Sequence, residues 1–196
     1  MKKVAVLVSG GGTNLQALID AGIKIDLVIS SKADAYALKR AEKADIKTAT
    51  YIWASYKDWH DSEGKFIGRS QFSRHILNEL RRNDIDIVVL AGFMVILTGM
   101  ICKAYPNAMI NVHPSLLPAF GGEGFYGLKV HEAALERGVK LTGATVHFVN
   151  EICDGGKIIM QKAVEVKDGD TPESLQKRVM EAEREILPQA VKMLMM

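Results

Sequence analysis

Cysteine is scarce in this sequence, with only Cys102 and Cys153 among 196 residues. The two lie far apart, and neither belongs to a paired spacing of the kind that binds zinc. So few cysteines exclude a disulfide-stapled secreted scaffold and favour a reducing compartment. A chain of this length buries roughly 70% of its unfolded surface, which is enough for a core without disulfides or structural metal. We therefore expect no metal site.

Long hydrophobic runs are also missing. The N-terminal apolar run, Val4–Val8, ends at Ser9 and Gly10 and is too short for the core of a signal peptide. No later stretch approaches the length of a membrane span. We therefore expect a cytoplasmic protein with no membrane partner.

Neither sign of charge is in excess, because 25 basic residues face 23 acidic ones and the formal net charge is +2. A nucleic-acid-binding surface usually shows a basic stripe or tract, and none is present. We expect no nucleic-acid partner. Any anion that the protein binds must be held by a local site.

Short apolar runs and amphipathic segments alternate over the first 115 residues or so. This pattern predicts an α/β fold with a doubly wound, mostly parallel sheet, and two consecutive strands near the C-terminus predict an antiparallel edge. The chain shows no repeat, linker or low-complexity tract, so we expect one domain spanning residues 1–196. The predicted strands are residues 3–8, 26–30, 47–52, 86–91, 109–112, 142–149 and 157–166.

Predicted helices lie between these strands and at the C-terminus, and several have recognisable ends. Ser70 is expected to cap the third helix, and Thr171 and Pro172 to open the last as N-cap and first residue. Pro188 is expected to kink or interrupt that last helix. Residues 53–68 show no period and are predicted to be a loop. Four glycines within residues 121–127 indicate a mobile connection.

A glycine-rich segment follows the first strand, with the sequence Ser-Gly-Gly-Gly-Thr-Asn at residues 9–14. Glycines before a helix let backbone amides approach a phosphate, and the helix N-terminus favours negative charge. The segment is neither G-x-G-x-x-G, since residue 15 is Leu, nor a P-loop, since no Lys follows. Thr13 and Asn14 are expected to offer capping side chains to the helix, and a plain strand–helix turn is the alternative reading of the segment. We favour a site for a monophosphate.

A second segment, Asn-Val-His-Pro-Ser at residues 111–115, follows a short predicted strand. Asn111 and His113 point to one face because strand side chains alternate. The carboxyl end of a strand is where open α/β sheets place their ligands. Ser115 could suggest acyl-enzyme chemistry, but it lacks the strand–turn–helix elbow of serine hydrolases. Asp154 precedes two glycines and is a turn former unless the fold brings it beside His113.

Four segments together carry a family resemblance: SGGGTN at residues 9–14, AGFM at 91–94, NVHPSLLPAF at 111–120 and TGATVHFVNEICDGGKII at 142–159. In this order they resemble the folate-dependent formyltransferases, and in particular phosphoribosylglycinamide formyltransferase. The resemblance runs from residue 3 to the last helix. It implies a Rossmann-like formyltransferase fold, 10-formyltetrahydrofolate as co-substrate and glycinamide ribonucleotide as formyl acceptor. It implies small-molecule partners only, for a monomer or homodimer.

The resemblance also implies roles for particular residues. Asn111, His113 and Asp154 match the catalytic residues. Gly12, Thr13 and Asn14 match the loop that holds the substrate phosphate, and Glu183 matches a contact to the substrate's sugar. The folate-binding positions match Arg69, Met94, Val95, Ile96, Leu97, Asn111, Asn150, Glu151, Ile152, Cys153 and Asp154. Val95 stands where the family often has Arg, but the apolar Ile96 and Leu97 favour a surviving pterin pocket.

The implied reaction is direct attack of an amine on the formyl carbon, which develops a tetrahedral oxyanion. Asn111 and protonated His113 can donate hydrogen bonds to it. We expect Asp154 to raise the pKa of His113 above its reference value and to help relay protons. The alternatives are a formyltransferase or formyl-folate hydrolase with another acceptor (methionyl-tRNA, a sugar nucleotide or water), and a nucleotide-binding regulatory module without turnover. The former enzymes carry further domains, for which we expect no room here.

Overall fold

The computed structural model describes residues 2–196, so Met1, where the predicted domain begins, lies outside the described residues. The strands are β1 Val4–Val8, β2 Leu27–Ser30, β3 Thr48–Thr50, β4 Ile87–Leu90, β5 Met109–His113, β6 Leu141–Phe148 and β7 Ile158–Glu165. The α-helices are α1 Thr13–Asp20, α2 Tyr36–Lys43, α3 Gly68–Arg82, α4 Gly99–Ala104, α5 Leu128–Arg137 and α6 Pro172–Met195.

Residues 2–109, with residue 195, belong to the first of two compact units. Its strands are parallel and follow the order β3-β2-β1-β4. Every residue of β1, β2 and β4 is buried. Continuous apolar runs of this kind form strands that are covered on both faces, as in α/β folds. The loops at the strand ends are therefore where this unit can offer polar groups to a ligand.

Residues 110–194, with residue 196, form the second unit. Here β5, β6 and β7 pair antiparallel, and the register sets Asn111 opposite His147 and His113 opposite Thr145. Helix α6 begins with a capping box in which Thr171 and Ser174 bond each other's backbone amides, and Pro172 occupies its first turn. Its buried face includes Leu175, Val179 and Ile186.

The α/β fold class, with mostly parallel strands and antiparallel strands towards the C-terminus, is confirmed. Each predicted strand has a counterpart within one or two residues at either end. Helix α5 ends at Gly138, which adopts the left-handed conformation. The expectation that the whole chain is one domain stays a prediction.

The ends of two helices differ from the prediction. Helix α1 has Gly12 as its N-cap, in the left-handed conformation and without a side-chain cap hydrogen bond, so the capping role of Thr13 and Asn14 is wrong. Ser70 is no cap either, because α3 begins at Gly68 and the Ser70 hydroxyl bonds back to the Ile67 carbonyl. A Cβ at Gly68 would lie 1.8 Å from the Tyr56 carbonyl oxygen, so close backbone packing selects glycine there.

Two further expectations are corrected. Residues 53–68 are not entirely loop, since Trp53–Tyr56 form a short 3-10 helix packed on α3. Pro188 does not interrupt α6, which is continuous through it, and a kink there stays a prediction. A proline frees the carbonyl four residues earlier. Here that carbonyl belongs to exposed Arg184, where water can supply the missing donor.

Candidate active site

The second unit brings Asn111, His113 and Asp154 together, as the sequence predicted. His113 Nδ1 lies 3.4 Å from Asp154 Oδ2. Asn111 Nδ2 lies 3.5 Å from Asp154 Oδ1. The His113 side chain is 5% exposed and that of Asp154 11%, so their interactions occur largely away from water. An amide, a buried imidazole and a carboxylate thus form one cluster at the end of β5.

The turn between β6 and β7 explains how Asp154 reaches this cluster. Asp154 adopts a positive φ of 53°, which is uncommon for a residue with a side chain. The turn is fixed by Asn150, whose side chain accepts from the Ile152 amide and donates to the Gly155 carbonyl. At Gly156 a Cβ would lie 1.7 Å from the Phe148 carbonyl oxygen. Only glycine allows this turn to close against β6.

Both ring nitrogens of His113 face an acceptor. Nε2 lies 2.8 Å from the Phe120 carbonyl oxygen, and because a carbonyl only accepts, Nε2 carries a proton. The same loop also contacts the carboxylate, since the Gly122 amide donates to Asp154 Oδ2 at 2.9 Å. The segment from Phe120 to Gly122 therefore contacts both His113 and Asp154.

The pKa of His113 is lowered from its ordinary value of 6.5. Burial is the largest cause, because an apolar surrounding disfavours the charged ring. Asp154 and the Phe120 carbonyl raise the pKa, but they do not outweigh burial. The expectation that Asp154 holds the His113 pKa above its reference value is therefore wrong in the net direction, although the contribution of Asp154 has the expected sign.

The pKa of Asp154 is lowered from its ordinary value. Burial alone would raise it, but the neighbouring His147 and His113 rings and the Gly122 amide outweigh that effect. Asp154 is consequently ionised at neutral pH. The cluster thus pairs a negatively charged carboxylate with a histidine that is mostly neutral at neutral pH.

The structure adds His147 to the cluster, a residue that the sequence-based reasoning missed. Its Nε2 lies 3.1 Å from Asn111 Nδ2 and 3.6 Å from Asp154 Oδ1. The signal was the alternation along β6, which puts Thr145 and His147 on one face. That signal has meaning only once the antiparallel register with β5 is known.

Ser115 contributes to the loop rather than to the chemistry. Its hydroxyl donates to the Ala119 carbonyl at 2.6 Å, and its own carbonyl accepts from Thr145 Oγ1. Gln161 donates to the Leu117 carbonyl and to Thr145, which extends the network. Because its hydroxyl is committed to this network, Ser115 is unsuited to act as a nucleophile activated by His113.

The glycine segment, residues 9–14, lies in the first unit and is hydrogen-bonded to α2. The Ala37 amide donates to the Gly10 carbonyl, and Arg40 Nε donates to the Gly11 carbonyl at 2.8 Å. Gly12 has a φ of 70°, and a Cβ there would lie 2.7 Å from Ala37 Cβ. Gly10 and Gly11 have open space where a side chain would be. These two glycines leave the loop accessible, whereas Gly12 is required for packing.

Residues 94–97, with the sequence Met-Val-Ile-Leu, follow β4 in the first unit. Met94 and Ile96 are exposed, whereas Val95 is buried. The Met94 amide donates to the Ser9 hydroxyl at 2.9 Å, which ties this segment to the start of the glycine loop. Arg69 is exposed in the first turn of α3. An apolar surface is therefore available in this unit next to backbone groups.

The remaining predicted residues lie in the second unit. Asn150, Glu151 and Ile152 are exposed in the turn before Asp154, and Ile152 is 69% exposed. The Cys153 thiol lies beside the Asp154 carboxylate, and burial together with that charge raises its pKa to about 11. Cys153 is thus a thiol at neutral pH. Glu183 is half-buried on α6.

Two general features of the described chain bear on the site. No helix within residues 2–196 has both the length and the apolar character needed to cross a bilayer. Over the same residues, no cluster of three or more histidine, cysteine, aspartate or glutamate side chains has an arrangement that could hold a metal ion.

An amide, a buried imidazole and a carboxylate that lie side by side on an α/β fold suit an enzyme that transfers an acyl group through an oxyanion, because they supply hydrogen-bond donors and a proton acceptor. Comparison with known proteins makes this class specific. A sequence profile described as formyl transferase matches residues 2–191. The chain belongs to the formyl transferase family.

Individual relatives agree with this assignment. The chain is 46% identical to the trifunctional purine biosynthetic protein adenosine-3 of Homo sapiens over 97% of its own length, but it spans only 18% of that relative. It is 39% identical to the phosphoribosylglycinamide formyltransferase of Haemophilus influenzae, covering 98% of this chain and 86% of the relative. The crystal structure of glycinamide ribonucleotide transformylase 1 from Symbiobacterium toebii matches with a TM-score of 0.86 at 40% identity, over 97% of this chain and 86% of that one.

Proposed function

We propose that this protein transfers the formyl group of 10-formyltetrahydrofolate to the amine of glycinamide ribonucleotide, a step of de novo purine biosynthesis. The observation that carries the proposal is the cluster of Asn111, buried His113 and Asp154. Membership of the formyl transferase family supports the reaction type. Relatives named as phosphoribosylglycinamide formyltransferases, whose length this chain largely spans, support the acceptor.

The reaction forms one bond and breaks another. The amine nitrogen attacks the formyl carbon, the bond from that carbon to the folate nitrogen breaks, and a proton moves from the amine to the departing nitrogen. Negative charge develops on the formyl oxygen in between. Asn111 and His113 are the donors that would stabilise it, which is a large contribution in a site shielded from water.

His113 is mostly neutral before reaction, because burial lowers its pKa. A developing oxyanion changes this balance, since a nearby negative charge favours the imidazolium form. Asp154 is ionised beside the ring and adds to that effect. We therefore assign His113 the uptake of a proton as charge develops, and Asp154 the role of favouring that uptake and relaying protons through water.

The substrates are assigned to segments by the family resemblance. Gly12, Thr13 and Asn14 are proposed to hold the phosphate of glycinamide ribonucleotide, because backbone amides before a helix favour an anion. Glu183 is proposed to contact its sugar. Met94, Val95, Ile96, Leu97 and Arg69 are proposed to bind the folate, together with the turn formed by Asn150, Glu151, Ile152, Cys153 and Asp154. We further propose a cytoplasmic monomer or homodimer that needs no metal.

The test is to mix the protein with glycinamide ribonucleotide and 10-formyltetrahydrofolate and to follow the folate absorbance, with mass spectrometry of the nucleotide. Formylated nucleotide in equal amount to deformylated folate is the expected result. The Asp154→Asn variant is the matched control, since it keeps the side-chain size and removes the charge.

Other outcomes separate the alternatives. Loss of formyl-folate without nucleotide present would indicate a formyl-folate hydrolase. Turnover only with another amine acceptor would indicate a different member of the family. Binding of nucleotide with no turnover would indicate a regulatory module, and the catalytic assignments would then be withdrawn.

A further inference from the structure

His147 is the one polar side chain of the cluster that the proposed reaction leaves without a role. It lies on β6 directly opposite Asn111 in the antiparallel register. Its side chain is 2% exposed, and both ring nitrogens have a neighbour within the second unit. A buried histidine bonded on both sides has a defined proton position, and that position constrains its partner.

The proton position follows from the neighbour of each nitrogen. Nδ1 lies 2.8 Å from the Phe148 carbonyl oxygen, so Nδ1 must carry the proton. Nε2 lies 3.1 Å from Asn111 Nδ2, which only donates. Nε2 therefore accepts, and the ring is neutral. Nε2 lies 3.6 Å from Asp154 Oδ1 but 3.1 Å from Asn111 Nδ2, so the amide is its closer partner.

The opposite orientation of the Asn111 amide is disfavoured by the same distances. The oxygen and nitrogen of an amide are assigned from their hydrogen bonds, so the alternative must be weighed. A flipped amide would put its oxygen 3.5 Å from Asp154 Oδ1, where Nδ2 now lies. Two oxygens at that distance, one of them on an ionised carboxylate, repel each other. With Nδ2 in this position, its two neighbours, His147 Nε2 and Asp154 Oδ1, are both hydrogen-bond acceptors.

We propose that His147 is a positioning residue, which accepts one amide proton of Asn111 and thereby fixes the NH₂ end of that side chain toward the reacting centre. The second amide proton has only the weak 3.5 Å contact to Asp154 and stays available. That proton is the one that would meet the oxyanion. The mechanistic part rests on the proposed formyl transfer, whereas the amide orientation stands by itself.

The size of the effect follows from the freedom of an unheld amide. Rotation about the terminal torsion of Asn is broad and roughly two-fold, so without an acceptor the oxygen end can face the oxyanion. Deleting an oxyanion donor costs roughly 10² to 10³ in kcat. Losing its orientation should cost less, about 10- to 100-fold.

The first experiment compares two variants. His147→Phe keeps an aromatic ring and removes the acceptor, whereas His147→Gln keeps an acceptor oxygen near the position of Nε2. We expect His147→Phe to lower kcat about 10- to 100-fold with little change in either KM, and His147→Gln to recover most of the loss. Equal losses in both variants would overturn the proposal.

A double-mutant cycle then tests whether His147 acts through Asn111. Each His147 variant is remade in the Asn111→Ala background. A residue that acts only by orienting Asn111 has no further effect on kcat once the amide is gone. An undiminished His147→Phe effect in that background would overturn the proposal.

The third measurement does not depend on activity or on a variant that folds. The ¹⁵N chemical shifts of the histidine rings in the ligand-free wild-type protein report which nitrogen carries the proton. At neutral pH, we expect the proton of the His147 ring on Nδ1 and none on Nε2. A proton on Nε2 would overturn the proposal. If the wild-type protein transfers no formyl group to glycinamide ribonucleotide, the proposed function fails, while this measurement still decides the orientation of Asn111.

Discussion

The strands of the two units differ in what they can offer a ligand. In the first unit, β1, β2 and β4 are buried along their whole length, and their side chains are apolar except for Ser30. In the second unit, β5 and β6 carry Asn111, His113, Thr145 and His147 on paired positions. The first unit therefore presents backbone groups at loops beyond its strands, and the second presents side chains from the strands themselves.

This difference teaches how substitutions should act in each unit. At the glycine segment, the critical property is backbone conformation, because Gly12 has a positive φ and touches α2. In the catalytic cluster, the critical property is the chemistry of buried groups at fixed distances. Substitutions in the first unit should mainly change stability and KM, whereas those in the second should mainly change kcat and pH dependence.

The largest effect is expected for Asp154→Asn in the second unit. Removing the charge should lower kcat by roughly 10² to 10⁴, with substrate binding much less affected. Because Asp154 raises the pKa of His113, the variant should show a His113 pKa below that of the wild-type protein, which is itself below 6.5. Histidine titration by NMR in both proteins is the measurement. An unchanged or higher His113 pKa in the variant would show that Asp154 does not raise the pKa of His113.

The next effect belongs to the first unit and contrasts two glycines. Gly12→Ala should lower the free energy of unfolding by about 2–4 kcal/mol, because the new Cβ meets Ala37 in a left-handed backbone conformation. Gly11→Ala, where space is open, should change it by less than about 0.5 kcal/mol. Urea denaturation measures both.

Kinetics of the Gly11→Ala variant test whether the glycine segment holds the substrate phosphate. The folded Gly11→Ala variant should raise the KM for glycinamide ribonucleotide several-fold and leave that for the folate unchanged. Equal changes in the KM for glycinamide ribonucleotide and the KM for the folate would indicate that the glycine segment is only a structural turn.

A third effect concerns acid stability and a histidine outside the cluster. His131 on α5 is 1% exposed. Burial first, and the charge of His113 second, lower its pKa from 6.5 to about 4. Between these two pKa values, His131 is protonated in the unfolded chain but neutral in the folded protein. Its contribution to the free energy of unfolding is therefore complete above pH 6.5 and is lost as the pH falls toward 4. The loss reaches about 3 kcal/mol.

The test is the free energy of unfolding by urea at several pH values between 7 and 4. His131→Gln, which cannot titrate, should flatten this dependence, and His60→Gln on the exposed surface of the first unit should leave it as in the wild-type protein. Identical slopes in all three proteins would assign acid sensitivity to other groups.

The smallest effect contrasts two helix starts. Helix α6 is capped by the Thr171 hydroxyl, whereas α1 has no side-chain cap. Thr171→Ala should cost about 1 kcal/mol of stability. Thr13→Ala, at the first position of α1, should cost less than about 0.5 kcal/mol. Thermal unfolding compares the two, and similar losses would mean that Thr13 makes a contribution of its own.

Much of the fold could be predicted from the sequence because its signals are local. Apolar runs gave the strands to within one or two residues, and Thr171 with Pro172 gave the start of α6. Capping at α1 and α3 was mispredicted, since Gly12 and Gly68 are selected by contacts with Ala37 and Tyr56 from distant parts of the chain. No local pattern contains those contacts.

The sequence by itself determined the order of elements, the placement of Asn111 and His113 on one face of β5, and the family resemblance. Tertiary structure alone decided that Asp154 lies 3.4 Å from His113, that His147 faces Asn111, and that burial outweighs Asp154 in setting the His113 pKa. The reason is physical. Periodicity and turn chemistry act between near neighbours in the chain, whereas desolvation and hydrogen bonding depend on distances that exist only after the chain has folded.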